Sequence, residues 1–88
     1  MPRKGQKLLE RARQNKAGWD SKDLIYLVES FGFELSSKKG SHHTYRHQEL
    51  KHLRITIPHP KELAKPYVSE VVSMIDEVIQ YQKGKRNG

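Results

Sequence analysis

Residues 33–58 read FELSSKKGSHHTYRHQELKHLRITIP, and this stretch decides the fold that the sequence predicts. Three short segments within it alternate as strands do, and turn residues separate them. The clearest segment is 53–57, where branched apolar residues alternate with Arg54 and Thr56 before Pro58 ends the strand. Because the segments are short and consecutive, they predict a three-stranded antiparallel meander.

The other two segments assign faces to the predicted sheet. Residues 33–37 carry Phe33 and Leu35 on one face, and residues 36–40 supply a turn. Residues 41–47 place one set of side chains on one face (Ser41, His43, Tyr45 and His47) and the alternate set on the other. If Tyr45 faces the core with Ile55 and Ile57, the opposite, open face displays five polar side chains: His42, Thr44, Arg46, Arg54 and Thr56.

Two amphipathic helices flank the predicted sheet. Ser21 is placed to cap the first, whose apolar residues recur at helical spacing until Gly32. The second begins near Lys65, with Pro66 in its first turn, and is predicted to end at about Tyr81. Each helix must bury one apolar stripe, so the simplest arrangement packs both on one sheet face. The predicted fold class is therefore α+β, in the order α-β-β-β-α.

Composition limits the function classes. The 88 residues predict one domain, and the net charge of +7 favours a polyanionic partner: nucleic acid, an acidic protein or anionic lipid. No apolar run approaches the roughly 18 residues of a membrane span, and residues 1–7 lack the core of a secretory signal, so a cytoplasmic protein without a membrane partner is expected. The absence of cysteine and of a helical His-x-x-x-His pair predicts no metal site, and no cofactor is expected.

The residues that suggest chemistry are Gly40-Ser41-His42-His43, between Lys38-Lys39 and a strand with Tyr45 and Arg46. Imidazole titrates near neutral pH, so a histidine here can exchange a proton while neighbouring cations hold a phosphate backbone. RNA cleavage requires this combination. The catalytic candidate is His42, and the side chains expected to hold phosphates are Lys38, Lys39, Arg46 and Arg54. Considered singly, these cations are also typical of a solvated strand face or turn.

These motifs resemble a known family. The order Gly32-Phe33, Lys39-Gly40-Ser41-His42, Tyr45-Arg46-His47 and Ile55-Thr56-Ile57-Pro58 is similar to that of the HicA toxins of bacterial and archaeal toxin-antitoxin systems. The resemblance covers roughly residues 21–79. It implies a fold like the double-stranded-RNA-binding domain and metal-independent cleavage of mRNA, with His42 as catalytic residue and Gly40 and Ser41 in the RNA-binding turn. It also implies a HicB-type antitoxin as the protein partner.

The resemblance leaves parts of the chain unmatched. His59 follows Pro58 directly. Residues 60–65 connect it to the last helix and form a shorter segment than the one that the family usually has there. The predicted organisation is a basic N-terminal extension (1–20), a HicA-like domain (21–82) and a flexible basic tail (83–88). Within the extension, residues 5–17 are either a short basic helix or a partly ordered arm.

Other histidines and aromatic residues have structural interpretations. We expect His43 to be partly buried, His47 and His52 to be solvated in a hairpin turn, and His59 to close a turn rather than line the site. Trp19 is expected to pack over a helix start, although it and Tyr26 are also candidates for base stacking.

Two alternatives to an endoribonuclease stay open. One is a non-catalytic RNA-binding module, for which the sheet and the basic charge suffice. The other, weaker alternative is a basic domain that binds an acidic protein.

Overall fold

The computed structural model describes residues 3–87, which form three helices and five strands. In chain order they are α1 (Arg3–Gln14), β1 (Trp19–Asp20), α2 (Ser21–Ser30), β2 (Phe33–Lys39), β3 (His42–His47), β4 (Arg54–Pro58), β5 (Glu62–Leu63) and α3 (Lys65–Asn87). From α2 to α3 the chain has the helix, antiparallel sheet and helix that the sequence predicts. The fold is α+β and of the double-stranded-RNA-binding-domain type.

The main sheet has the strand order β2-β3-β4, and both pairs are antiparallel. A two-residue loop, Gly40 and Ser41, joins the partners Lys39 and His42. Gly40 has φ +57° whereas Ser41 does not have a positive φ, as a type II′ turn requires. The register of β2 shifts between Leu35 and Ser37, where a β-bulge interrupts the ladder.

The two faces of the sheet differ as the alternation predicts. Tyr45, Ile55 and Ile57 are buried under the helices, whereas Arg54 and Thr56 are exposed on the open face. Leu35 is the exception. It is the register partner of Tyr45 but is 50% exposed, because β2 is an edge strand.

Helix α1 is part of the core. Its side chains Leu8, Leu9 and Ala12 are buried in the same cluster as α2 and α3. The helix approaches α2 closely at Gly5, where a Cβ atom would lie 2.6 Å from the Cβ of Ser30. Of the two alternatives for residues 5–17, the structure therefore has a packed helix rather than an arm.

The helix ends differ in detail from the predicted ones. Asp20, not Ser21, is the N-cap of α2, and its carboxylate accepts a hydrogen bond from the backbone N–H of Asp23 at 2.9 Å. Helix α3 runs past the predicted end near Tyr81, and Lys85 in its last turns donates to Glu49 at 2.7 Å. Position 88 of the predicted tail lies outside the described residues.

A second, small sheet was not predicted. β1 and β5 pair antiparallel, with Trp19 opposite Leu63 and Asp20 opposite Glu62. Two residues in each strand are too few to show a period, so sequence patterning gives no signal for them. This ladder fixes the start of α2 beside the segment that follows β4.

Candidate active site

His42 lies at the start of β3, the central strand, and is exposed on the open face. Its register partners are Lys39 on β2 and Pro58 on β4. Further along the same face, Thr44 and Thr56 share a hydrogen bond of 2.8 Å between their hydroxyl oxygens. His42 is thus held on a regular part of the sheet with a lysine beside it.

Two arginines face each other at the far end of the open face. Arg46 on β3 is the direct register partner of Arg54 on β4, and like charges in this position destabilise a sheet. The Nε atom of Arg46 is buried and has no hydrogen-bond partner within the described residues. Glu34, the partner of Arg46 on β2, is the acidic side chain on this part of the face. An anion bound between the arginines would relieve both their repulsion and the unsatisfied donor.

The β-bulge in β2 decides which of the two lysines expected to hold phosphates lies beside His42. After the bulge, Lys39 pairs with His42 and lies on the open face. Lys38 pairs with His43 and lies on the helix side. Consecutive strand residues lie on opposite faces, and a bulge of one residue exchanges the faces of all residues beyond it, so Lys39 rather than Lys38 shares the open face with His42. The phosphate-binding role expected for Lys38 stays a prediction.

The turn between these lysines and His42 is tied to the segment after β4. The backbone N–H of His59 donates to the carbonyl of Ser41 at 2.7 Å. Gly40 and Ser41 are exposed, and no atom lies within 4 Å of the position of a Cβ on Gly40. The turn therefore leaves room for a polynucleotide to approach the backbone closely.

A cleft opens on the helix side of the same sheet end, between α2 and two histidines. We call it the histidine cleft; its volume is about 310 Å³, and it is lined by Lys22, Ile25, Tyr26, Glu29, His43 and His59, with Tyr45 at the sheet. The rings of His43 and His59 lie 5.3 Å apart between centroids and are tilted by 45°. His43 is half-buried, as expected, but His59 lines this cleft and does not merely close a turn.

The ring of His59 is fixed by the first residue of α2. The Oγ atom of Ser21 lies 2.8 Å from His59 Nδ1 and accepts a hydrogen bond from the Lys61 backbone N–H at 3.1 Å. The Ser21 hydroxyl therefore bonds to both the His59 ring and the Lys61 backbone. Ser21, fully buried, thus positions His59 rather than capping the helix.

His47, which was expected to be solvated, is 1% exposed. Its parity with Tyr45 along β3 was the signal for burial, and the ring packs edge-on against Phe33 at 5.2 Å. His52 is solvent-exposed and bonds to Glu77.

The two aromatic candidates for base stacking differ in their exposure. Trp19 is fully buried, its Nε1 donates to the Asn15 carbonyl at 2.9 Å, and the Arg11 guanidinium lies 4.2 Å from its ring centroid. Packing is therefore its role, as expected. Tyr26 is 39% exposed and lines the histidine cleft, with the Lys4 ammonium 4.7 Å from its ring centroid.

Residues 3–87 contain no group of three or more histidine, aspartate or glutamate side chains placed to hold a metal ion. None of the helices described is both long and apolar enough to cross a membrane.

The fold and the open face define a small basic α+β protein of the double-stranded-RNA-binding-domain type, with a histidine among cations at one end of its sheet. The family model of the HicA toxin of bacterial toxin-antitoxin systems matches residues 21–75. This is more than half of the chain, which therefore belongs to the HicA toxin family. Comparisons with curated proteins and with solved structures give no significant match.

Proposed function

We propose that this protein is the toxin of a type II toxin-antitoxin system and acts as a metal-independent endoribonuclease on mRNA, with His42 as its catalytic residue. The observation that carries the proposal is the open face. An exposed histidine, His42, lies there at the start of β3. Near the other end of β3, Arg46 is paired with Arg54 of β4. Family membership supports the toxin class and the nuclease reading.

RNA is expected to lie across the open face. Lys39 beside His42 and the two arginines would hold phosphates, and the exposed Gly40–Ser41 turn would admit the backbone close to His42. These contacts fix the position of the strand but read no sequence.

The chemistry needs two proton transfers. One proton leaves the ribose 2′-hydroxyl as its oxygen attacks phosphorus, and one reaches the 5′-oxygen as the P–O bond to it breaks. The products are a 2′,3′-cyclic phosphate and a free 5′-hydroxyl. His42 performs one of these transfers, and a second group or water performs the other. A positioned acid or base typically contributes about 10²- to 10⁴-fold to the rate.

The test is cleavage of a long single-stranded RNA in excess EDTA by the wild-type protein, by His42→Ala and by the control His52→Ala. The His52 side chain is 64% exposed and bonds to Glu77, so its loss should change neither fold nor activity. We expect His42→Ala to cut about 10²- to 10⁴-fold more slowly, with an unchanged circular dichroism spectrum. The same sequence made of 2′-deoxynucleotides should stay intact.

Equal cleavage by His42→Ala and wild type would contradict the role of His42. Binding of RNA by all three proteins without cleavage would instead favour the non-catalytic RNA-binding module.

The phosphate contacts are tested separately, through the salt dependence of RNA binding. Replacing Arg54 or Lys39 by glutamine should each reduce the slope of log affinity against log salt by about one. Lys51→Gln, in the exposed loop before β4, is the matched control and should leave the slope unchanged. A HicB-type antitoxin would neutralise the protein by covering the same open face.

A further inference from the structure

We propose that the histidine cleft binds the base of one unpaired RNA nucleotide next to the cleaved bond, so that the protein selects single-stranded RNA. This inference rests on the proposed function, and the cleft lies on the face of the sheet opposite His42.

The size of the cleft limits its occupant. A volume of about 310 Å³ is at the lower end of the roughly 300–1,000 Å³ typical of small-molecule sites. It suits a single base or nucleotide rather than a helix or a folded surface of a partner. A base within a duplex stays stacked between its neighbours, so only an unpaired nucleotide can enter.

The lining has the character of a stacking site. Tyr26 offers a partly exposed ring on α2, and the rings of His43 and His59 also line the cleft. Because the rings of His43 and His59 are tilted by 45°, neither lies flat on the other. His59 is held by its bond to Ser21, so little rotamer freedom is lost when a base binds. Aromatic side chains stack on every base, which makes such a site tolerant of sequence.

The charges favour a base over a phosphate inside the cleft. Glu29 is among the lining residues, and its carboxylate would repel a phosphate but accept hydrogen bonds from N–H groups of a base. Guanine presents adjacent N–H groups on its Watson–Crick edge, so it is the base we expect to bind best. Lys22 in the lining, and Lys38 across from His43, are placed for the phosphates on either side.

The cleft and His42 belong to one continuous path. His42 and His43 are consecutive, so their side chains lie on opposite faces of the same strand. The Ser41 carbonyl accepts from the His59 N–H, which joins the Gly40–Ser41 turn directly to a residue that lines the cleft. A strand whose phosphate lies at His42 can therefore pass around the Gly40–Ser41 turn and place a neighbouring base in the cleft.

The test measures RNA binding by fluorescence anisotropy in the His42→Ala protein, with a short labelled single-stranded oligonucleotide containing guanosine. Tyr26→Ala is compared with Tyr67→Ala, a matched control because Tyr67 is 37% exposed and lies outside the cleft. Loss of one stacked base should weaken binding by at least about fivefold for Tyr26→Ala. Tyr26→Phe should retain the affinity, and binding of duplex RNA should be the same for all variants.

A second experiment tests whether the base binds beside the Glu29 carboxylate. Glu29→Gln should lose the preference for guanosine over adenosine oligonucleotides, whereas the control Glu70→Gln, on the exposed part of α3, should raise both affinities equally. Stronger binding by Glu29→Gln than by Glu70→Gln would mean that a phosphate occupies the cleft, and would overturn the proposal. Equal affinities of Tyr26→Ala and Tyr67→Ala for the oligonucleotide would also overturn the proposal, because the cleft would then not bind an RNA base.

Wild-type cleavage, measured in parallel, separates the two proposals. If the wild-type protein cuts RNA but Tyr26→Ala binds like its control, the proposed function stands and the cleft proposal fails. If binding depends on Tyr26 but the wild-type protein does not cut, the cleft proposal stands and the endoribonuclease does not.

Discussion

Replacement of His47 by asparagine is expected to remove most of the acid sensitivity of the fold. His47 ends β3 and is 1% exposed. Its Nδ1 atom accepts hydrogen bonds from the backbone N–H groups of Glu49 and Leu50 at 3.1 and 3.0 Å. The bonded nitrogen must therefore be unprotonated, and the ring must be neutral, for the loop after β3 to keep this geometry.

Burial lowers the pKa of His47 from its ordinary value of 6.5, and the backbone of Phe31 and the charge of Glu49 only partly oppose this effect. As the pH falls below about 6.5, the unfolded chain takes up a proton at this histidine but the folded chain does not. The unfolded state then binds more protons, so the free energy of unfolding falls with pH. The fall continues until the pH reaches the pKa of the folded state, with a slope of up to about 1.4 kcal/mol per pH unit.

The His47→Asn variant tests the effect of protonating this side chain separately from the effect of its packing. The side-chain oxygen of asparagine can accept from the same two N–H groups, but asparagine does not titrate. The loss of the edge-on contact with Phe33 should cost about 0.5–1.5 kcal/mol at neutral pH. His47→Ala should cost more, because each unsatisfied N–H adds about 1–3 kcal/mol.

The assay is urea unfolding of wild type, His47→Asn and the exposed control His52→Asn between about pH 8 and about pH 5. Wild type and control should lose stability in parallel below about pH 6.5, and His47→Asn should show a much flatter profile. A His47→Asn profile as steep as that of the wild type would refute the reasoning, because the proton uptake would then belong to other groups.

Two further predictions concern the cleft wall and α1. Ser21→Ala should lower the free energy of unfolding by about 1–3 kcal/mol and broaden the ring resonances of His59 in NMR spectra, since the hydroxyl that fixes the ring is lost; exposed Ser73→Ala should do neither. Leu9→Ala in α1, at 7% exposure, should cost about 2–3 kcal/mol in thermal or urea unfolding, whereas Leu35→Ala, at 50% exposure, should cost much less. A negligible cost at Leu9 would contradict the packing of α1 into the core.

The parts of the fold that could be predicted depend on local alternation. Ile55 and Ile57 define the buried face of β4 by themselves, and the opposite parity of Arg54 and Thr56 follows from the strand period. The same reasoning placed His42 on the open face correctly. No contact from a distant part of the chain is needed for these assignments.

The parts that could not be predicted depend on contacts distant in sequence. Ser21 and His59 are 38 positions apart, and the bond between them exists only once β1 and β5 have paired. The side of the fold that His59 occupies is set by that pairing rather than by its neighbours in sequence. Packing of α1 likewise needs α3, to which Arg13 is bound through Asp76.

Strand alternation divides the pair Lys38-Lys39 and the pair His42-His43 between the two faces, and the β-bulge decides which lysine lies beside which histidine. Without the extra residue between Leu35 and Ser37, Lys38 would share the open face with His42, and Lys39 would lie on the helix side. With it, Lys39 lies beside His42 on the open face and Lys38 lies beside His43 on the helix side. The catalytic and base-binding roles proposed here therefore depend on the register of a single hairpin, and a slip of one residue would exchange them. Bulges commonly redirect side chains next to active sites, and this one lies within a few residues of His42 across the hairpin.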